Sequence, residues 1–235
     1  MPVFLNCTDA DFEQGFRAML GAKREDSSDV NDAVTAIIRD VRDRGDAALC
    51  DLTTRFDRLD LTPATLRFSP EEIAEQVARV TPEDRAALAL AAERIRAYHA
   101  RQMPEDASWT DPEGATLGWR WSAVSAAGLY VPGGQAAYPS SVLMNAIPAR
   151  VAGVERLVIC VPTPDGVINP LVLLAAQLSG VDEIYRIGGA QAVAAMAYGT
   201  DTIAPVDKIT GPRTPNGWLG TCWRRPSMTR MRSRS

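Results

Sequence analysis

Glycine pairs follow two short apolar segments of this 235-residue chain, and a helical pattern follows each pair. The first pair ends the string GLYVPGG (Gly128–Gly134), and the second lies inside IYRIGGAQA (Ile184–Ala192). Glycines between a strand and a helix leave backbone N–H groups open to an anion at the positive end of the helix dipole. This arrangement predicts a site for a nucleotide or another phosphorylated ligand. Neither pair completes the G-x-G-x-x-G spacing, so the spacing alone does not single out a dinucleotide.

Polar side chains beside the glycine pairs are candidate ligand contacts. Tyr130 ends the strand before the first pair and could stack on a ligand or hydrogen-bond to it. Gln191 lies in the first turn after the second pair, where its amide could bind a ribose or a base edge. An exposed helix glutamine would explain Gln191 equally well. Ser140 and Ser141 could bind phosphate, although for Ser140 we favour a role as helix cap.

Residue patterns typical of a catalytic centre are absent from the sequence. There is no G-x-S-x-G and no Walker A string, and the four cysteines form no C-x-x-C pair. The single histidine, His99, lies near the end of a predicted helix, where a surface role is expected. With one histidine and scattered cysteines, which we interpret as free thiols, no zinc site is recognisable. The sequence therefore predicts a binding platform, with no catalytic or metal-ligating residues.

The segment from Ala126 to Thr210 alternates strands and helices. Short apolar strands separated by helical patterns predict a parallel sheet with right-handed crossovers and helices on both faces. Ligands of such sheets bind at the carboxyl ends of the strands, where both glycine pairs would lie. The predicted strands are Gly128–Val131, Arg156–Val161, Glu183–Ile187 and Asp207–Thr210.

The first hundred residues have helical periodicity. Apolar residues recur at helical spacing from Phe12 to Leu20, with Thr8 or Asp9 as the expected cap, and again from Asp29 to Arg44. The strings SPEE and TPED predict two capped helix starts at Ser69 and Thr81. A strand is then predicted over Ala115–Ser122. Its Trp119 and Trp121 share one face, which favours packing in the core or between domains.

Composition and charge indicate an ordinary globular protein whose last residues are unusually basic. The apolar runs are too short for a bilayer span and the first residues lack a signal-peptide layout, so we expect a cytoplasmic protein without membrane contact. The chain carries a net charge of −4, yet the 24 residues from Pro212 to Ser235 hold six of its arginines and no acid. A basic tail can bind nucleic acid, but here we expect no nucleic-acid partner.

Several strings together resemble the histidinol dehydrogenase family. In the second half these strings are GLYVPGG, YPSSVLMNAIPARVAGV, EIYRIGGAQAVAAMAYGT and VDKITGP, and in the first half VRDRGDAAL, LTTRFDRLDL and RIRAYHARQ. The resemblance covers about residues 1–212. It implies an α/β fold in which a helical N-terminal part precedes an incomplete Rossmann-like parallel domain. The expected ranges are an N-terminal arm at 1–24, a helical part of a discontinuous α/β domain at 25–124, a Rossmann-like domain at 125–211 and a tail at 212–235.

The resemblance also implies an activity. Members of this family are homodimeric, zinc-dependent enzymes that oxidise L-histidinol through the aldehyde to L-histidine, with two hydride transfers to NAD. Matched by motif, Tyr130 and Gln191 correspond to family positions that contact NAD. A third NAD contact in the family is the asparagine of GPGNA. Thr214 occupies that position here, which puts the third contact in doubt.

After Pro212 the resemblance ends. The family's zinc ligands, its acid–base pair and its substrate-binding residues have no counterpart in this chain, and the tail, expected to be disordered, resembles translation in a shifted reading frame. We therefore expect a truncated family member that is inactive alone. Two alternatives stay open. One is oxidation of a different amino-alcohol or polyol within the same superfamily, and the other is a non-catalytic nucleotide-binding module whose basic tail recruits a partner.

Overall fold

Seven helices and six strands make up the part of the chain that the structure, a computed structural model, describes. It describes residues 5–132 and 138–211, with the backbone alone for residues 20–29. The tail at 212–235, with Thr214, and the glycines at 133 and 134 therefore lie outside the described residues. The helices are α1 (Phe12–Arg44), α2 (Asp46–Asp57), α3 (Pro70–Ala78), α4 (Pro82–Ala100), α5 (Pro139–Val151), α6 (Pro170–Leu178) and α7 (Gly189–Tyr198). The strands are β1 (Ala107–Thr110), β2 (Thr116–Trp119), β3 (Ala126–Tyr130), β4 (Arg156–Cys160), β5 (Glu183–Tyr185) and β6 (Lys208–Thr210).

Four of these strands form the parallel sheet that the sequence predicts. Their order is β5-β4-β3-β6, and Gly128 at the centre of β3 lies opposite Val158 on one side and Ile209 on the other. From β3 the chain adds β4 and then β5 on one side of the sheet. It then crosses back and places β6 on the other side of β3. This reversal makes a topological switch point at the carboxyl ends of β3 and β6, the kind of place where α/β sheets bind ligands. The predicted α/β fold class is confirmed.

Helices cover both faces of the sheet because its strands are apolar on both sides. In β4, Leu157 and Ile159 pack among α3, α4, α5 and α6, whereas Val158 and Cys160 face α1, α2 and α7. All four side chains are fully buried. The N-terminal helices therefore supply part of the cover on each face. On the first face α4 packs against α5, and on the second α1 packs against α7.

The two predicted capping motifs are confirmed. Ser69 accepts a hydrogen bond from the Glu72 N–H while its own N–H donates to the Glu72 carboxylate, and Pro70 occupies the first helical position. Thr81 accepts from the Asp84 N–H in the same way at the start of α4. Each cap satisfies N–H groups that the first turn leaves without a partner.

Two helix predictions need correction. The two segments predicted within residues 12–44 are one continuous helix, α1, and its N-cap is Asp11, which makes no side-chain capping bond. Ser140 lies inside α5 and does not cap it, because Pro139 takes the first helical position and leaves Tyr138 as the N-cap. Pro148 lies inside α5, and the last turn of this helix closes with the Ala152 N–H donating to the Pro148 carbonyl.

The region around the tryptophans also differs from the prediction. A strand that was not predicted, β1, pairs antiparallel with β2 to form a hairpin. Trp119 and Trp121 are 53% and 60% exposed, so their predicted place in the core is wrong. Trp109 packs edge-to-face on Trp119, with ring centroids 5.1 Å apart. A cross-strand aromatic pair can therefore form on a hairpin whose face remains in solvent.

Candidate functional site

The carboxyl edge of the sheet brings the two predicted contact residues to the start of one helix. Tyr130, the last residue of β3, accepts a hydrogen bond through its hydroxyl oxygen from the Gly189 N–H, at 3.2 Å. Gly189 is the first residue of α7, so the phenol joins the central strand to the second glycine pair. Because the oxygen accepts this bond, the phenolic proton stays available to a ligand. Burial raises the pKa of Tyr130 above its ordinary value, and the hydroxyl therefore stays protonated at neutral pH.

Gln191 lies in the same first turn and is only 2% exposed. The alternative of an exposed helix glutamine is therefore wrong. Its amide lies over the backbone of Gly189, since a Cβ added there would be 2.6 Å from the Gln191 Oε1. A buried amide normally has hydrogen-bond partners. The Gln191 amide is not among the buried side-chain atoms that lack a partner in the described ranges, so its contact with a ligand stays a prediction.

The second glycine pair has packing reasons for being glycine. A Cβ on Gly188 would lie 2.5 Å from the Pro162 Cβ, and Gly189 has a φ of +63°, which disfavours other residues. Both glycines let α7 begin directly against the loop that follows β4. Close packing therefore accounts for this pair without a ligand. A ligand-cradling role for the pair stays a prediction.

A cleft of about 660 Å³ opens at the carboxyl end of β4, on the other side of Pro162. Its apolar wall includes Phe68, Val161 and Leu173. Its polar lining includes Thr163, which is only 3% exposed and whose Oγ1 has no hydrogen-bond partner among the described residues. A volume of this size, with apolar walls and few polar groups, is typical of small-ligand sites.

An ion pair lies at the mouth of this cleft. The Arg58 guanidinium donates to both carboxylate oxygens of Asp165, from Nε at 2.6 Å and from Nη2 at 2.5 Å. The Arg58 charge holds the pKa of Asp165 below its ordinary value. Both residues have positive φ, 53° and 56°, so each is presented by a tight left-handed turn.

Arg58, which lines the cleft, and its neighbour Asp57 were not predicted from the sequence. Arg58 and Asp57 stand inside the string LTTRFDRLDL, but no spacing marked either as a ligand contact. The Asp57 Oδ2 is buried without a hydrogen-bond partner in the described part of the chain, and burial raises its pKa. Asp57 also acts electrostatically on the Tyr130 hydroxyl. Only the fold brings the end of α2 to the carboxyl edge of the sheet, so no local signal could have found these residues.

Zinc does not fit the described residues. Across residues 5–132 and 138–211, no group of three or more histidine, cysteine, aspartate or glutamate side chains could hold a metal ion. His99 is engaged at the end of α4, where its Nδ1 lies 2.7 Å from the Gln102 Oε1. Cys7, Cys50 and Cys160 are free thiols.

Comparison with known proteins identifies the family to which the chain belongs. A family model described as histidinol dehydrogenase matches residues 20–216. The chain belongs to the histidinol dehydrogenase family. It is 74% identical over 212 residues to a histidinol dehydrogenase of Ruegeria pomeroyi and 71% identical over 212 residues to one of Cereibacter sphaeroides. Each match covers 90% of this chain and 49% of the relative, so the chain spans about half the length of these curated relatives.

A solved structure supports the same assignment. The crystal structure of a histidinol dehydrogenase from Elizabethkingia anophelis matches with a TM-score of 0.75 at 36% sequence identity. The match covers 80% of this chain and 43% of that one. The resemblance inferred from the sequence strings is thereby confirmed. Among the described helices, none is long and apolar enough to cross a membrane.

Proposed function

We propose that this protein supplies the NAD-contacting part of a histidinol dehydrogenase, an enzyme that oxidises L-histidinol through the aldehyde to L-histidine. The observation that carries the proposal is the convergence of Tyr130 and Gln191 on the first turn of α7, beside a cleft large enough for part of a dinucleotide. Membership of the histidinol dehydrogenase family supports L-histidinol as the substrate. The same proposal includes the family's homodimer and a cytoplasmic location. It also includes the domain boundaries expected from the sequence, at residues 1–24, 25–124, 125–211 and 212–235.

Residues at the carboxyl edge fit NAD by their chemistry. NAD, when bound, accepts the hydride that leaves the alcohol carbon. Tyr130 would donate its phenolic proton to the dinucleotide while its oxygen keeps the Gly189 N–H in place. The Gln191 amide offers both a donor and an acceptor in a buried position, where such bonds orient a ligand strongly. The positive end of α7 favours an anionic group nearby.

The described residues offer no set of ligands for a metal ion. The chain's single histidine cannot supply the two histidines of the family's zinc set. By this proposal, the residues for metal binding and proton transfer belong to the part of the family's length that this chain does not match.

Titration of the full chain with NAD by isothermal titration calorimetry tests the proposal. We expect Tyr130→Phe and Gln191→Ala each to weaken NAD binding about tenfold, because each removes roughly one buried hydrogen bond to the ligand. Tyr98→Phe on α4 is the matched control, since Tyr98 is 63% exposed and undergoes the same chemical change. Wild-type protein that binds no NAD at millimolar concentration would overturn the proposal.

Two further readouts separate the alternatives. With L-histidinol, NAD and zinc added, we expect no steady rise in NADH absorbance from this chain alone; sustained turnover would contradict the assignment of the metal site to unmatched residues. A non-catalytic nucleotide-binding module predicts that AMP binds as tightly as NAD. It also predicts that removing residues 213–235 abolishes binding of a partner.

A further inference from the structure

Asn145 on α5 has both ends of its amide in hydrogen bonds. Its Nδ2 donates to the Ser141 carbonyl one turn earlier, at 2.7 Å, and its Oδ1 accepts from the Thr210 hydroxyl, at 3.3 Å. The Ser141 carbonyl can only accept, so the amide nitrogen faces it and the amide oxygen is left for Thr210. Asn145 therefore ties the middle of α5 to the last residue of β6.

Asparagine is a poor choice for the interior of a helix, because its amide competes with the backbone for hydrogen bonds. Asn145 lies within α5, and its bond to the Ser141 carbonyl is a local bond of this competing kind. Alanine would suit the helix better at this position. What asparagine adds over alanine here is the tertiary bond to Thr210.

The strand end that Asn145 holds lies against Tyr130. Thr210 pairs with Leu129 across the sheet, and Gly211 follows it. A Cβ on Gly211 would lie 3.1 Å from the Tyr130 carbonyl oxygen and 3.3 Å from the Tyr130 Cβ. Because closely packed interiors transmit strain, a shift of Thr210 would pass through Gly211 to Tyr130.

The position of the Tyr130 ring depends on this packing. Its hydroxyl oxygen accepts the Gly189 N–H at 3.2 Å, which is the long end of the range for N–H···O bonds. A bond of this length constrains the ring only weakly. The contacts behind the ring, on the side of Gly211, therefore help to decide where the hydroxyl points.

We propose that Asn145 is a positioning residue for Tyr130: it fixes Thr210, and through Gly211 it keeps the Tyr130 hydroxyl at the start of α7. In this role Asn145 acts through its neighbours and needs no contact of its own with a ligand. The effect on a bound dinucleotide rests on the proposed function, whereas the effect on the bond between Tyr130 and Gly189 does not.

Substitutions at both ends of the Asn145–Thr210 bond test this role in the full chain. Asn145→Ala and Thr210→Val each remove the bond, and we expect each to weaken NAD binding about fivefold, the effect of one impaired hydrogen bond to the ligand. The double variant should bind NAD no more weakly than either single variant, because both changes act on the same contact. Thr210→Ser keeps the hydroxyl and should keep wild-type binding. Both side chains are only half-buried, so the variants should fold.

Thr35→Val is the matched control for the calorimetric titrations. It also removes a threonine hydroxyl that donates a hydrogen bond, at 2.7 Å to the Asn31 carbonyl, on the exposed surface of α1. We expect it to leave NAD affinity unchanged.

The amide resonance of Gly189 provides a readout that does not depend on NAD. In amide NMR spectra of the ligand-free protein, Tyr130→Phe marks the position of this resonance without the bond. We expect Asn145→Ala and Thr210→Val to move it towards that position, while the resonance of Gly199, at the other end of α7, stays in place.

The outcomes separate this inference from the proposed function. A Gly189 resonance at its wild-type position in both variants, or losses of NAD affinity that add in the double variant, would overturn the inference alone. Wild-type protein that binds no NAD would overturn the proposed function, and the Gly189 resonance would still decide the positioning role.

Discussion

Gly188 shows how a single missing Cβ permits the start of a helix. The ring of Pro162 lies where that atom would be, 2.5 Å from its ideal position. The proline ring is rigid and belongs to the loop after β4, so neither side can yield cheaply. This contact sets the distance between the cleft and the first turn of α7. The residue therefore matters for the site although it offers no side chain to a ligand.

Gly188→Ala is expected to destabilise the protein by roughly 1–3 kcal/mol, the range for overpacking a tight contact. Urea denaturation followed by circular dichroism measures the loss. NAD affinity should fall together with stability, because α7 must move away from Pro162. A variant as stable as the wild type would contradict the packing argument.

At the scale of elements, one charged contact joins helix α3 to the end of β5. The Arg186 guanidinium donates to the Glu72 carboxylate at 2.6 Å and stacks on the Phe68 ring, 4.0 Å from its centroid. Burial raises the pKa of Glu72, but the Ser69 N–H and Arg186 outweigh it, so the net pKa is below its ordinary value. The same carboxylate thus caps α3 and holds the segment that leads into the second glycine pair.

This lowered pKa gives the contact a defined pH dependence. Its stabilisation is complete above the unfolded-state pKa of about 4.3 and is lost as the pH falls through the lower folded-state pKa. Glu72→Gln should cost roughly 1 kcal/mol at pH 7, and the difference from wild type should be smaller at about pH 4, below the unfolded-state pKa. Glu75→Gln, which removes an exposed pair with Arg79, should change little at either pH. Parallel denaturation curves at both pH values measure this, and a pH-independent difference would contradict it.

At the scale of the whole molecule, the hairpin β1–β2 presents an apolar face to solvent. Trp109 lies opposite Leu117, and Ala107 lies opposite Trp119, so these four side chains share one face. Trp109, Leu117 and Trp119 are 43%, 48% and 53% exposed. Three large apolar side chains in one patch usually mark a surface that another chain covers.

We expect the isolated chain to self-associate through this face. Trp109→Thr combined with Trp119→Thr should raise the dissociation constant for self-association at least tenfold, because buried tryptophans dominate such contacts. Sedimentation velocity over a concentration series measures the change. Thr116→Ser on the opposite face is the control, and a wild-type protein that sediments as a monomer throughout would exclude the association.

The sequence alone was enough for the order of strands and helices over residues 126–210 and for the family. Helix starts at Ser69 and Thr81 depend on residues three positions apart, and parallel strands follow from short apolar runs between helices. Strings such as GLYVPGG carry the family resemblance directly. Tyr130 and Gln191 could be selected because each stands beside a glycine pair. All of these signals come from residues that are close together in the sequence, so they can be identified without the tertiary structure.

Only the tertiary structure decided which distant residues meet. Arg58 and Asp165 are 107 residues apart, and no periodicity links them. The strand order that sends β6 back beside β3, and the burial of Gln191, depend on how crossovers pack on the sheet. The core alternative for Trp119 and Trp121 failed for the same reason, since a period-two pattern identifies a shared face but not what covers it. Packing between remote elements sets these outcomes, and it is a property of the whole folded chain.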